Sequence, residues 1–376
     1  MQKVAVIYHF FPHYRSGIIK ELLKSNEYEF HFFGDNIQQY QGIKRYNDIP
    51  EDRFHVIKFN NYKGLIFQHG LMRLATDKDF AKIIMLADPH FVMSWPLCVL
   101  GKLRGKKIIY WTHGWTKNIS GLRYFIKKKY HNLADDLLLY GNRAKDLAIQ
   151  SGYPEEKCHV IYNSLDYENQ VMARNKLANI DRDTNRKEKF GVTDGAIVTV
   201  ARLIESCRFD LLIESLKLIK EQKKLAPKVI IIGEGPEKNK LQIMASELDV
   251  ADQITFMGAC YDEAVLSEII YAADVTVSPG KVGLLAMHSL NYGTPVITHD
   301  NFEKQMPEYE AIIPNKTGSF FKHNDANSLA EEIIKWIVNK KDAQVIENCH
   351  GVIDYKYNPL VQSKIIHEVL NDNKQK

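Results

Sequence analysis

The chain has 376 residues, of which 45% are hydrophobic and 26% charged, with a net charge of +4. That length suits two α/β domains with a core each, and the charge is too small to argue for a nucleic-acid partner. Five scattered cysteines without a Cys-x-x-Cys pair argue against zinc and a disulfide framework, and fit a reducing cytoplasm. Residues 3–9 read as a first strand, too short before Pro12 for a signal peptide. No apolar run reaches the roughly 18 residues that a spanning helix needs, so any membrane contact is peripheral.

Residues 18–24 read as a helix and 28–33 as a second strand. This opening unit has one glycine, Gly17, where a dinucleotide fingerprint would have three. Residues 55–59, 83–87 and 107–112 read as further strands separated by helical segments, the pattern of a parallel sheet covered on both sides. His113 follows the last of these and precedes Gly114. Residues at the carboxyl end of such a strand line a ligand crevice, so His113 is either a ligand contact or a structural imidazole. Between residues 102 and 129 there is no acid. Lys102, Arg104, Lys106, Lys107, Lys117, Arg123, Lys127, Lys128 and Lys129 are interleaved with Trp111, Trp115, Tyr124 and Phe125. Such a segment suits an anionic membrane surface or a lipid-diphosphate acceptor. It equally suits a solvated basic face over a core stripe of Leu122, Ile126 and Leu133. No nucleic-acid module accompanies it.

Residues 137–140 form a buried strand, and a helix runs to 149. The charged stretch 171–190, almost without apolar periodicity, reads as a linker. Its Asp181-Arg182-Asp183 reads as solvated charge. A second series of strands follows at 196–200, 228–232, 254–258 and 274–277. After the last, Pro279-Gly280 turns the chain, Gly283 opens a helix and Gly293 closes it before a strand at 294–298. A helix start behind a glycine turn at a strand end is a natural anion site. His288 lies beside it, on the helix face of Leu284 and Asn291. The alternative is an ordinary strand–helix–strand unit with a partly buried histidine.

Taken together, the order and spacing of these segments resemble the retaining GT-B glycosyltransferases of family 4, the glycosyl transferases group 1. Asn163-Ser164-Leu165-Asp166 is similar to that family's Asn-Gly-x-Asp exit from the first domain. Ala201-Arg202-Leu203 through Leu212 resembles its diphosphate segment. By this resemblance Arg202 binds the donor diphosphate, Cys207 stands in place of a lysine, and Arg208 follows as a substitute cation. Gly280 and His288 occupy the places of the two glutamates of the donor motif.

The resemblance implies a GT-B fold, two Rossmann-like domains with a cleft between them. The domains are residues 1–170 for the acceptor, 171–190 as linker and 191–354 for the donor, with a helix in 355–376 returning to the first. It implies His113, Arg202 and His288 as catalytic residues. Donor contacts come from Gly17, Arg202, Arg208, Ala259, Cys260, Gly280, Gly283, Leu284 and His288. It implies transfer of a sugar from a UDP- or GDP-type donor to a saccharide or lipid-linked saccharide, with retention, in bacterial capsule, O-antigen or other surface polysaccharide synthesis. No metal or other cofactor is implied, and the setting is cytoplasmic or peripheral on the inner membrane face. Because both glutamates are absent, a catalytically weak nucleotide-sugar-binding protein, or a GT-B-shaped sugar-nucleotide epimerase, stands as the alternative.

Overall fold

Short apolar runs alternating with helices build two parallel sheets, one of seven strands and one of six. The computed structural model describes all residues except 41, 116–120, 194, 340–341 and 373–376. Contacts divide the chain into a first unit, Met1–Asp166 with Asn358–Lys376, and a second, Tyr167–Tyr357.

In the first unit the sheet contains β1 (Gln2–Ile7), β2 (Tyr28–Gly34), β5 (Phe54–Val56), β8 (Phe80–Leu86), β9 (Lys107–Thr112), β10 (Asp136–Leu139) and β11 (Cys158–Val160). Their order is β11–β10–β9–β8–β1–β2–β5, so the winding reverses between β1 and β8. Both faces are covered, which is why the strands read as near-continuous apolar runs. Ala5 and Ile7 of β1 join one core with α2 (Arg73–Thr76), α3 (Ser94–Leu103), α4 (Gly121–His131) and α5 (Asn142–Gln150). Val4 and Val6 face the other core, made with α1 (Ser16–Leu23) and α14 (Pro359–Asn371).

The last turn of α14 is capped from the sheet. Lys82 Nζ, in a side chain only 6% exposed, donates to Leu370 O at 2.7 Å, and Lys107 Nζ donates to Val369 O at 2.5 Å and Asp372 O at 2.9 Å. Cations at a helix C-terminus satisfy its orphan carbonyls.

Two hairpins lie outside the sheet, β3 (Gln39–Tyr40) with β4 (Ile43–Lys44) and β6 (Lys58–Tyr62) with β7 (Leu65–His69). The single strand read over 55–59 is therefore two. β5 joins the sheet, and the chain turns after Ile57 into a hairpin whose polar Asn60-Asn61 segment has no place in a core.

In the second unit the strands are β12 (Ala196–Val200), β13 (Lys228–Ile232), β14 (Ile254–Gly258), β15 (Val275–Ser278), β16 (Val296–His299) and β17 (Gly318–Phe321). Their order, β14–β13–β12–β15–β16–β17, reverses between β12 and β15. α8 (Phe209–Lys223), α9 (Lys238–Glu247) and α12 (Ala326–Val338) cover one face. The other carries α6 (Tyr167–Leu177), α7 (Arg182–Phe190) and α10 (Glu263–Ala272). α11 (Leu285–Asn291) follows β15 and packs against α13 (Ala343–Tyr355).

The reading of 171–190 as a linker does not hold, because α6 and α7 belong to this unit. Leu177 and Phe190 are their apolar anchors. The rest of the attachment is polar. Arg186 and Arg182 pair with buried Asp274 at 2.9 and 3.3 Å, and Asn185 donates to Glu268 O. Arginine stems can cover apolar surface while the guanidinium is paired, so such a helix shows little hydrophobic period. The Asp181-Arg182-Asp183 run is structural rather than free charge. Asp181 caps α7 through the Thr184 amide, and Asp183 pairs with Arg186.

Candidate functional site

In the second unit the loops leaving β12 and β15 lie side by side at the reversal of strand order, where open α/β sheets bind ligands. Gly280 is needed there for space. A methyl group on it would run into the carbonyl oxygen of Ser206 and the Cα of Cys207, the latter at 2.8 Å. Gln305 holds the loop from beneath. Its Oε1 accepts from Val282 N at 2.9 Å, and its Nε2 donates to Thr298 Oγ1 at 2.8 Å and His299 O at 3.1 Å. Thr298 Oγ1 donates in turn to Ser278 O at 2.9 Å.

This packing brings Arg202 and Lys281 close enough to Cys207 for both charges to act on its thiol. Burial raises the Cys207 thiol pKa, while the Ile204 backbone bond and then the Lys281 and Arg202 charges oppose the rise. Both cations are exposed, and neither has an ion-pair partner among the described residues. Gly283 has open space around its Cα, and the Gly283 and Leu284 amides meet no acceptor among the described residues. Two unpaired cations and two free amides can together hold a diphosphate. Lys281 lies inside the stretch that drew attention in the sequence, yet its role depends on Gly280 being wedged against residues 206–207. Gln305 carries no motif at all.

Arg208 is placed differently from Arg202. It sits in the left-handed region at φ 53°, and its guanidinium grips Asp210 at 2.9–3.1 Å and also bonds Asn324. It caps the entry to α8 and does not share the free state of Arg202. Ala259 is exposed in the loop after β14, and Cys260 is half-buried against the core, its Sγ 3.9 Å from Asp262 O.

His288 faces α6 and α10. Its Nδ1 lies 3.2 Å from Glu263 Oε1 and 3.1 Å from Gln170 Nε2, and Asn291 on the same face donates to Gln170 O at 3.2 Å. The Tyr292 hydroxyl donates to the same Glu263 oxygen. Burial pushes the Glu263 pKa up, but the bonds from His288, Tyr292 and Gln170 outweigh it and hold the carboxyl down at about 2. A carboxylate thus stands beside the imidazole, supplied by α10.

In the first unit a cavity of about 700 Å³ opens at the carboxyl ends of β8 and β9. Asp88, His90, His113, Arg123, Ile126 and Lys127 are among its walls. His113 is open to solvent, and its ring centre lies 4.6 Å from that of Tyr140. Surrounding protein, then the Arg15 and Lys127 charges, push its pKa down to about 4. Both descriptions hold because the wall is concave. Solvent reaches the ring, yet protein fills much of the space around it, so the imidazole is neutral near pH 7. Gly17 approaches main chain instead of open space, since a methyl group there would meet the carbonyl of Leu165.

The basic segment is only partly free. Lys102 pairs with Asp135 at 2.9 Å, Lys107 with Asp136 at 3.1 Å, and Lys106 and Lys127 donate to backbone carbonyls. Lys117 lies outside the described residues. Of the stripe read as core, Leu122 and Ile126 are exposed, at 74% and 41%, while Leu133 is partly buried against the core, and Tyr130 and His131 are the residues of α4 that enter it. No helix among the described residues is long and apolar enough to cross a membrane.

Residues 181–350 match the family model for Glycosyl transferases group 1. The alpha-monoglucosyldiacylglycerol synthase of Streptococcus pneumoniae is 25% identical over 201 residues, which are 50% of this chain and 43% of that one. The matches span less than half the length of the curated relatives. Anabaena HepE, solved in complex with UDP, superposes with a TM-score of 0.69 at 15% identity, over 98% of this chain and 99% of that one. The lipopolysaccharide outer core galactosyltransferase WaaB superposes with a TM-score of 0.68 at 16% identity, over 98% and 99%. The chain therefore has the GT-B fold, and its residues 181–350 are similar to the glycosyl transferases group 1 domain.

Proposed function

We propose that this protein transfers a sugar from a UDP- or GDP-type donor to a saccharide or lipid-linked saccharide acceptor, with retention at the anomeric carbon. The observation that carries this reading is the loop pair at the β12–β15 reversal. There Gly280 is wedged against residues 206–207, and Arg202, Lys281 and the amides of Gly283 and Leu284 are left to neutralise a diphosphate. In the proposed reaction the bond from the anomeric carbon to the phosphate oxygen breaks, and one to the acceptor oxygen forms on the same face. The acceptor proton passes to the departing phosphate. Preorganised cations and amides stabilise the charge that develops on that leaving group, so no metal or other cofactor is called for. Neutral His113 is the proposed contact to the transferred sugar. His288 is the proposed ribose contact, in a place where a carboxylate is one residue away.

That relatives include a glycolipid synthase and a lipopolysaccharide galactosyltransferase supports an acceptor of the bacterial surface, in capsule, O-antigen or related synthesis. The exposed Leu122, Phe125 and Ile126 of α4, flanked by Arg123, Lys128 and Lys129, support peripheral membrane contact on the cytoplasmic face. A thermal-shift screen with UDP, GDP and their sugars tests the donor. Binding of neither nucleotide would refute the reading, and an anomeric NMR assay of the product would test retention. Turnover unchanged by EDTA is expected.

A further inference from the structure

The sequence marks Arg15 only as part of a loop before Gly17. The structure sets it at the reversal of strand order in the first unit, just after β1. Three rings surround its guanidinium. The Cζ atom lies 4.8 Å from the ring centre of Tyr8, 5.0 Å from that of Trp111 and 5.4 Å from that of Tyr140. These residues end three different strands. Nη2 donates to the Tyr140 hydroxyl, which is 3.1 Å from the Tyr8 hydroxyl. No carboxylate among the described residues lies within ion-pair distance of Arg15.

This is an unusual way to keep an arginine. A guanidinium has five N–H donors, and the only side-chain partner among the described residues is one hydroxyl. The side chain is half-buried, where water is thinned and a cation without a counter-ion is costly. Ring faces attract the cation but accept none of the remaining in-plane donors. The neighbourhood has further unfilled capacity. Among the described residues Trp111 Nε1 and His9 Nδ1 are buried without a hydrogen-bond partner, and His9, just after β1, is close enough to Arg15 to feel its charge. Buried polar atoms are rarely left so unless a ligand or ordered water completes them. His113, its ring centre 4.6 Å from that of Tyr140 and tilted to it by 38°, connects this cluster to the wall of the 700 Å³ cavity.

We propose that Arg15, held by Tyr8, Trp111 and Tyr140, is an oxyanion-binding site that takes a phosphoryl or carboxylate group of a substrate bound in the first unit. The aromatic clamp fixes the guanidinium in advance, so little side-chain freedom is lost on binding, and a planar fork suits two oxygens of one anion. The source is either a diphosphate or the acid of an acidic sugar. That the anion belongs to a substrate rests on the glycosyl-transfer reading, but the anion site itself does not.

The test uses the full chain carrying Arg202→Gln and Lys281→Gln, so that the free cations of the second unit do not report. Thermal shift and calorimetry are run with inorganic pyrophosphate, with glucuronate and with glucose as the neutral control. We expect one anion, and not glucose, to bind, and Arg15→Gln to weaken it at least about tenfold. Arg15→Lys, which keeps the charge but not the fork, should recover only part of the loss. A pyrophosphate response identifies a diphosphate source, and a glucuronate response an acidic sugar. Anion binding that is unchanged by both Arg15→Gln and Arg15→Lys overturns the proposal, as does the absence of binding by either anion. Because the parent with intact Arg202 and Lys281 is titrated separately with UDP and GDP, failure here is distinct from failure of the donor-site reading.

Discussion

His288 Nδ1 and Glu263 Oε1 are 3.2 Å apart, which ties the imidazole of α11 to a carboxylate on α10. Nδ1 lies between this carboxylate, which only accepts, and the Gln170 Nε2 amide at 3.1 Å, which only donates, so the ring's tautomer sets which of the two it bonds, while Nε2 has no partner among the described residues. His288→Ala is expected to weaken nucleoside diphosphate binding by about 1 kcal/mol, the worth of one hydrogen bond. Glu263→Gln should act in the same direction and also lower stability at pH 7 by about 1 kcal/mol, a figure kept small for solvent screening. The sign of its pH effect follows from the depressed carboxyl pKa, near 2 against an ordinary 4.5. Its contribution is present above pH 4.5 and is lost as pH falls toward 2. Calorimetry and acid titrations of both variants check this.

Arg202→Ala and Lys281→Ala should each raise the dissociation constant for the donor diphosphate. The loss of a charge-assisted contact is about 1.5–3 kcal/mol. Arg208→Ala should disturb affinity much less, since its guanidinium already serves Asp210 and Asn324, and should show mainly as a lower Tm. Equal affinity losses in all three would mean that Arg208 releases Asp210 on binding.

Gly280→Ala places a methyl group against the main chain of residues 206–207. Backbone cannot yield as a side-chain tip can, so the loop must move. Destabilisation of about 1–3 kcal/mol is expected, with donor affinity falling further than for Gly351→Ala, where the added methyl makes only ordinary contact with Tyr355. Urea denaturation and UDP and GDP titration of the two alanine variants make the comparison.

His131 is 1% exposed, and burial lowers its pKa to about 4, the Lys127 carbonyl bond opposing and the Lys127 charge assisting. The unfolded chain binds this proton from about pH 6.5 downward and the folded one does not until about pH 4. Stability therefore falls as pH drops through that window, by up to about 3 kcal/mol from this group. His131→Phe keeps a ring against Trp115 and removes the titration. Its urea midpoint should change less between pH 7 and 5 than that of the parent, whatever its absolute stability.

Vesicle co-sedimentation checks the membrane face. Leu122→Glu with Phe125→Glu should reduce binding to anionic vesicles, and Arg123→Glu with Lys129→Glu should reduce it at low salt most strongly. Binding of the parent that is equal on neutral and anionic vesicles would leave α4 a solvated face.

Much of the fold is legible in the sequence because a strand buried on both faces announces itself, as Val229-Ile230-Ile231-Ile232 does. The charged α6 and α7 escape, since Arg174 on α6 and Arg182 and Arg186 on α7 do by ion pairs what leucines do elsewhere. Site legibility divides in the same way. Gly280 and Arg202 stand out by local spacing. Lys281 gains its role only when residues 206–207 arrive beside it. The setting of Arg15 is assembled from positions 8, 111 and 140, which no local pattern joins. Arg208 is held away from the role of Lys281 by a left-handed backbone that points its side chain back to Asp210, a conformation that residue type does not advertise.

The lysine caps on α14 bear on the order in which the protein can be made. Residues 167–357 are contiguous and hold all they need for their sheet before ribosomal synthesis reaches α14. The first unit, though synthesised earlier, must wait for residues 359–372. Until then Lys82 and Lys107 lack their carbonyl partners, and the apolar surface that meets Ile366, Val369 and Leu370 faces water. A nascent chain stalled before α14 should therefore present a protease-resistant second unit beside a first unit that is still open to chaperones.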